Sequence, residues 1–442
     1  MNTPQITQWV VWALALPILT CPALSTAQTV AYTDANMITM GKPGAIENGT
    51  MLVRDGKIVE IGDNVEIPGD ARVVSLQGHT IMPGIVDPYY VYKTNPQSSN
   101  QRTIVFRGRT FRVGGGSGFT VTPFMKVAEN FYPYDLEFMP AIRNGITTLQ
   151  LVSDGRGLSA LANVSVDPTP EMLLPDVEGF LFAKVTNQTS ALDTIRKNLD
   201  SSTSRPSSGR SMSREEMINR MRAARRGGGT RPPAADRKPP SATADDKKTD
   251  QKKPETDPIK VMWNAVRDGK KGLVVNANNA ATVAYLTEML KKFDKVKLHL
   301  VVTGPNIFQS LEEIRKNKNV TLILQPSIDT VPYSSQFMNV PKMADDLKIP
   351  FALSLSLNKS QMSGGQDDPL FPITQLIKTG LNRDRGLEAI TMTPAKMLGI
   401  DKTHGSLEKG KFANFLVFDG DPLTTGSQLK QVFLMGKSIH EN

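Results

Sequence analysis

Residues 81–93 read IMPGIVDPYYVYK, and this stretch decides the fold. An apolar run from Ile81 to Val86, interrupted by Pro83-Gly84, leads into Asp87-Pro88 and then Tyr89, Tyr90 and Tyr92. Such a run, closed by turn-forming residues, predicts a buried strand that opens at a pocket mouth.

Two flanking stretches give the run its context. Upstream lies GTMLVRDGKIVEIGDNVEIP (Gly49–Pro68), and downstream, near the other end of the chain, lies GSLEKGKFANFLVFDGDPL (Gly405–Leu423). Together with residues 81–93 they resemble the metal-dependent amidohydrolase superfamily. The stretch Glu129–Val164 is similar to the region of the second and third barrel strands in imidazolonepropionase-like members. The resemblance implies an α/β fold: a (β/α)8 TIM barrel over residues 81–398, beside a small β-sandwich domain built from both chain ends, residues 28–80 and 399–442.

Local signals agree with that architecture. Asp55-Gly56 between two apolar segments marks a tight hairpin, because such a turn needs positive φ at both central positions. Strand-like alternation returns at Asn414–Phe418 and Gln431–Met435. Between the ends, strand and helix patterns alternate as they do in a parallel sheet with crossover helices. Asp257-Pro258 caps a helix with Ile259, Met262, Trp263 and Val266 on one face and Gly269 as its stop. Strands are predicted over Gly272–Val275, Val296–Val302, Val320–Leu324 and Phe351–Leu355, with helices over Ala281–Phe293, Asn306–Lys316 and Met343–Leu347. Without the insertion described below, the barrel region holds roughly 260 residues, close to the size usual for this architecture.

Composition narrows the function. The 442 residues carry a formal charge of +9, but residues 201–256 hold 14 Lys and Arg against 7 Asp and Glu, so most of the excess sits in one low-complexity segment. The rest is nearly balanced, which removes the support for a nucleic-acid partner. With few apolar residues, the insertion over 199–256 is expected to be disordered, apart from a short helix begun by the Ser213/Glu216 capping box. It reads as a solvated insertion or as a tether to an anionic surface. Residues 1–33 have no charged side chain, and Trp9–Leu19 has the length of a signal-peptide core. Residues 1–27 are therefore read as a signal peptide, with export to the periplasm or the cell exterior; the alternative is a lipid anchor on Cys21, the chain's single cysteine. Cleavage after Ala27 would leave no thiol for disulfides, metal or catalysis. In Arg102–Phe119, Arg107 and Arg109 flank Gly108 as in a basic hairpin, and Gly114–Gly118 reads as a lid or as a phosphate loop.

The chemistry implied by the resemblance rests on one or two divalent ions, zinc or a relative, held at the C-terminal ends of the barrel strands. The metal lowers the pKa of a bound water, and an aspartate on the eighth strand moves the proton. In the family the first strand ends D-x-H-x-H; here Asp87 is kept, and Tyr89 and Val91 stand at the histidine positions. On the fifth strand LVVNAN puts Asn276 in place of a histidine, with Asn278 just after it. The sixth strand ends Val302-Thr303-Gly304, with Thr303 at the histidine position, and the eighth reads ALSLS, with Ser356 at that of the aspartate. The family's fourth-strand lysine corresponds to Lys184 or, three residues earlier, to Leu181. Of the four histidines, His79, His404 and His440 flank the terminal domain or lie at the chain end. His299 falls on the face of Thr303 but about 13 Å below it, where a hydrogen-bonded core role is expected. No catalytic residue and no cofactor is assigned. Tyr90, Tyr92, Lys184 and Asn278 are candidate pocket residues, the tyrosines either stacking a ligand or filling vacated space.

The sequence thus points first to an exported amidohydrolase-like pseudoenzyme. It would bind a small molecule, or support an active homologous barrel or a second copy of itself. The alternative is a hydrolase of C–N bonds in small amides or peptides, working through a non-standard site.

Overall fold

The computed structural model describes residues 28–92, 102–106, 109–113, 124–133, 138–153, 155–166, 169–174, 177, 179–185, 189–200, 258–303, 306–331, 333–357 and 368–442. The expected signal peptide, the bulk of the insertion, Asp257, Arg107, Gly108 and Gly114–Gly118 lie outside them.

The two chain ends meet in one sheet. Phe415–Phe418 runs antiparallel to Thr80–Pro83, with Leu416 opposite Met82, and this ladder joins the C-terminal strands Leu429–Leu434 and Lys437–Glu441 to the N-terminal strands. Hydrogen bonds connect all eight strands, so the expected pair of stacked sheets is a single curled one. The cause is Val30–Ile38, which pairs with Arg72–Ser75 through its first half and with Thr80–Pro83 through its second, while bulges against Ala45–Arg54 bend it between the two. Inside the curl, Tyr32, Met37, Met51, Phe415 and Phe433 form a core of their own, with the Phe415 and Phe433 rings stacked 4.3 Å apart. The Asp55-Gly56 hairpin forms as the sequence predicts, with φ of 52° and 74° and strands Ala45–Arg54 and Lys57–Gly62 on either side.

Strands of the central region occupy eight positions around a second, larger core. Leu181–Val185, Leu273–Ala277, Leu298–Val302, Val320–Leu324 and Phe351–Leu353 lie side by side in parallel. Ile85–Val91 pairs in parallel with Ile146–Val152 in a separate three-stranded sheet. The run Arg156–Asn163 joins the two sheets: Arg156–Leu158 pairs with Leu181–Val185, and Ala160–Asn163 pairs with Ile146–Val152. Both pairings are antiparallel, which corrects the all-parallel (β/α)8 expectation. A parallel return needs a crossover of a dozen or more residues, whereas residues 152–159 supply only a hairpin connection. Among the described residues, no backbone ladder closes the ring between Phe351–Leu353 and Ile85–Val91. There the N–H groups of Leu353 and Val86 donate to the carbonyls of Ala389 and Ile390, which run between the two strands.

Helices follow the strands much as their periodicity predicts. Pro258–Arg267 begins on its proline and is followed by Gly269 at φ +73°. Ala280–Leu290 is capped by the Asn279 side chain, which accepts from the Thr282 N–H, and buries Val283, Leu286 and Leu290. The basic hairpin is also present, Arg102–Phe106 pairing with Arg109–Val113 so that Phe106 faces Arg109.

One charged group ties the chain's end to its beginning. Glu408 accepts from the Ser406 hydroxyl at 2.6 Å and from the Lys42 N–H at 3.2 Å, and pairs with buried Lys411 at 3.1 Å. Partial burial opposes its ionisation, but these donors and the Lys411 charge overcome it and hold the carboxyl down at about 2. A folded-state pKa below the unfolded value means stability that is present above about pH 4.5 and lost as pH falls toward 2, reduced by solvent screening of this partly exposed pair. Thermal unfolding of Glu408→Gln between pH 6 and 2.5 should therefore show a flatter pH dependence than the parent; parallel curves would contradict this role.

Candidate functional site

The site forms where the strands end. On Ile85–Val91, Asp87 pairs with Leu149 and Tyr90 with Leu151, so one extra residue is accommodated around Pro88-Tyr89. Proline fits here because it has no N–H to contribute to the ladder. This irregularity aims Tyr89 at the fifth strand, where its hydroxyl accepts from Asn276 Nδ2 at 3.0 Å. Asn276 Oδ1 in turn accepts from the Thr303 hydroxyl at 3.4 Å. Side chains from the first, fifth and sixth strands are thereby linked by uncharged hydrogen bonds.

Asp87 anchors the other side. It is fully buried, and its Oδ1 accepts from the Ser354 hydroxyl at 2.7 Å and from the Tyr89 N–H at 3.0 Å. Its Oδ2 accepts from the Ser356 N–H at 2.9 Å, so the carboxyl spans the seam between the first and eighth strands. Burial pushes its pKa up, opposed by the Ser354 hydroxyl and the Tyr89 and Ser356 N–H groups. Ser356 Oγ lies close enough to favour the carboxylate but falls short of hydrogen-bond geometry. Ser354 was not among the candidates from the sequence, although the alternation in ALSLS puts it on the face of Ser356.

The remaining candidates separate. Tyr90 and Tyr92 belong to an aromatic layer with Phe138 and Phe131, Tyr92 and Phe138 lying parallel, and the Tyr92 hydroxyl bonds the Tyr132 backbone. They fill space as large apolar bodies rather than line the Asn276 side of the mouth. Val91 is half-buried at the strand's end. Lys184 is exposed and stands directly opposite Asn276 in the parallel register, while Leu181 pairs three positions lower with Leu273. The ladder therefore makes Lys184 the fourth-strand neighbour of the site. Asn278 is exposed and accepts from the Asn279 side chain at 3.0 Å.

The histidines stay apart from this set. His299 is buried in the core, as expected, with its ring stacked on Phe180 at 4.9 Å, and among the described residues its Nδ1 finds no hydrogen-bond partner. Burial holds it neutral, with a pKa down to about 3. His404 bonds Thr403 and Asn163 and is likewise depressed, to about 4. His79 bonds the Gln77 carbonyl and His440 bonds Asn442.

Comparison with known proteins places this geometry. The structure overlays a crystal structure of an amidohydrolase from Thermotoga maritima with a TM-score of 0.65 at 16% identity, covering 93% of this chain and 100% of the other. The amidohydrolase family pattern matches residues 373–439. The chain thus shares the fold of an amidohydrolase and is similar to that family in its C-terminal part. Among sequence relatives, a dihydroorotase from Anaeromyxobacter dehalogenans is 32% identical over 77 residues, 17% of this chain and 18% of that one. An imidazolonepropionase from Flavobacterium psychrophilum is 26% identical over 191 residues, 39% and 43% of the two chains. The chain thus spans less than half the length of these curated relatives.

A divalent ion of the amidohydrolase type does not fit the side chains gathered here. Tyr89, Val91, Asn276, Thr303 and Ser356 offer neutral oxygens, an amide and a methyl-bearing chain, where a zinc-type ion is held by imidazole or carboxylate. Asp87, the one carboxyl among them, is occupied by three donors of its own chain. Among the described residues, no cluster of three or more His, Cys, Asp or Glu side chains is arranged to hold a metal.

Proposed function

We propose that this chain is an amidohydrolase-superfamily member that no longer performs metal-dependent C–N bond hydrolysis, and that it acts after export by binding a small molecule at the barrel mouth. The observation that carries the reading is the Thr303–Asn276–Tyr89 string, which ties strand ends together with neutral hydrogen bonds where the family's chemistry needs metal donors. Neutral amide and hydroxyl oxygens do not offset the desolvation of a divalent cation. A second copy of the chain, or an active homologous barrel, is a further partner within the same reading.

The test is elemental analysis of protein produced with zinc, manganese and iron supplied, alongside assays on small amides and dipeptides. Each metal should sit well below one equivalent, with no turnover. Tyr89→His combined with Val91→His should change neither result, because the fifth-, sixth- and eighth-strand positions would still hold Asn276, Thr303 and Ser356. One equivalent of metal that is lost in Asn276→Ala would overturn the proposal.

Hydrolysis of C–N bonds by a non-standard site is the second reading. It is favoured by the relatives named dihydroorotase and imidazolonepropionase, and by the Asp87 carboxyl, which the first strand holds against Ser354 and Ser356 of the eighth with its pKa raised by burial. Metal-independent turnover abolished by Asp87→Asn would support it.

A further inference from the structure

The hairpin that follows strand Val320–Leu324 holds a strained backbone to display a side chain that its own chain leaves in solvent. Asp329–Thr330 pairs antiparallel with Phe337–Met338, and at the tip the Ser334 N–H donates to the Val331 carbonyl at 3.0 Å, closing a turn. Tyr333 occupies the third position of that turn at φ +61°, where glycine or asparagine is preferred and a bulky residue is strained. Its ring is fully exposed, and Phe337, opposite Thr330 in the ladder, is largely exposed. A strained position that carries an unused aromatic ring points to a role outside the chain.

The same hairpin walls a cavity of about 440 Å³. Ile328, Val331 and Met338 supply apolar sides, with Phe308 and Met343 from the helical segments Ile307–Ser310 and Val340–Asp346. The polar groups of the cavity are engaged. Asn339 gives its amide hydrogens to the Leu376 carbonyl and the Thr379 hydroxyl oxygen at 2.8 Å each and accepts from the Lys342 N–H at 2.9 Å, while the Thr379 hydroxyl donates to the Gln375 carbonyl. The Lys342 ammonium gives one hydrogen to Asp346 at 2.5 Å and has others to offer an oxygen. Such a cavity suits a large apolar body with one polar tip, which is what a tyrosine ring is.

We infer that this hairpin is the interface of a two-fold homodimer, the Tyr333 ring of each copy seated in the cavity of the other. Being fully exposed, the ring does not enter the cavity of its own chain. Knob and hole lie in one patch, and that is what a two-fold contact between identical chains requires. Residues 330–341 carry no charged side chain, in a chain with 52 basic and 43 acidic residues, so two copies of the hairpin meet without like-charge repulsion. Two Tyr333 and two Phe337 rings, at roughly 150–250 Å² each, with a like area of wall facing them, bury on the order of 1,200–2,000 Å², the size of a specific interface. The inference makes specific the second copy named in the reading above; its test reads neither metal nor turnover, so the two fail separately.

Sedimentation velocity of the full chain between about 1 and 200 µM should show monomer converting to dimer as concentration rises. Tyr333→Gly should weaken the dimer at least tenfold, yet leave the thermal midpoint of dilute protein unchanged or higher, because glycine adopts φ +61° without strain. A ring that served its own chain would give the opposite sign. Tyr333→Phe should keep the dimer within a few-fold, since the ring makes most of the contact. With p-benzoylphenylalanine in place of Tyr333, irradiation should join two chains, the adduct falling on Val331, Met338 or Met343. Monomer at every concentration would overturn the inference and leave the cavity to a small apolar molecule or to another protein. A dimer indifferent to Tyr333→Gly, a midpoint lowered by several degrees in that variant, or crosslinks that avoid the cavity would overturn it as well.

Discussion

Asp87→Ala should lower the stability of the protein by about 3–5 kcal/mol, because it strips the acceptor from two backbone N–H groups at roughly 1–3 kcal/mol each and from a hydroxyl. The carboxyl accepts three hydrogen bonds at 2.7–3.0 Å, two of them from backbone N–H groups that no rotamer change can redirect. Without it, the Tyr89 and Ser356 N–H groups lose their acceptor at a seam where, among the described residues, no strand ladder substitutes. The Ser354 hydroxyl retains a second acceptor, the Tyr89 carbonyl at 3.1 Å, so Ser354→Ala should cost only about 1–2 kcal/mol. Asp87→Asn should fall between the two, because its amide keeps one acceptor oxygen but turns an NH2 toward a donor. Urea unfolding of the three variants ranks them; a loss below about 1 kcal/mol in Asp87→Ala would show that the seam is held by packing alone.

How much of this was legible follows from the range of the forces involved. Short-range signals mostly read correctly: Asp55-Gly56 marked its hairpin, and Ala280–Leu290 buried its apolar face, while in Pro258–Arg267 Trp263 and Val266 are buried but Ile259 of the predicted face is exposed. The strand Val320–Leu324 matched its predicted bounds. Three of the five positions expected from the resemblance also came together, since Tyr89, Asn276 and Thr303 lie on or just past strands that the pattern located. Register was beyond that reach. Lys184 and Leu181 both stand in an apolar run, and only the ladder that sets Lys184 against Asn276 decides between them. The irregularity at Pro88 was equally hidden, and with it the separation of Tyr89 from Tyr90 and Tyr92. The antiparallel third position had a signal in the short stretch between Val152 and Ala160, too brief to hold a crossover helix, but the family resemblance outweighed it.

That antiparallel position supplies the other large effect. Gly179 enters the Leu181–Val185 strand where the chain passes Ser159, the residue at which Arg156–Asn163 changes sheets. Ser159 is committed on both sides: its N–H donates to the Phe180 carbonyl, and its hydroxyl accepts from the Phe180 N–H and from Gln150 Nε2. A Cβ on Gly179 would lie 1.5 Å from the Ser159 carbonyl oxygen, a contact no rotamer change can relieve because the oxygen belongs to the backbone and a Cβ is fixed by the backbone that bears it. One strand must therefore shift by more than an ångström and give up bonds that hold the two sheets together. Gly179→Ala should cost at least about 3 kcal/mol, at or beyond the upper end of ordinary overpacking, and should reduce the yield of soluble protein. Gly69→Ala is the control, since nothing lies within 4 Å of its added methyl group. Thermal midpoints compare the pair directly: Gly69→Ala should stay within about a degree of the parent while Gly179→Ala falls by several, and equal midpoints would mean that the crossing between the sheets is looser than this close approach requires.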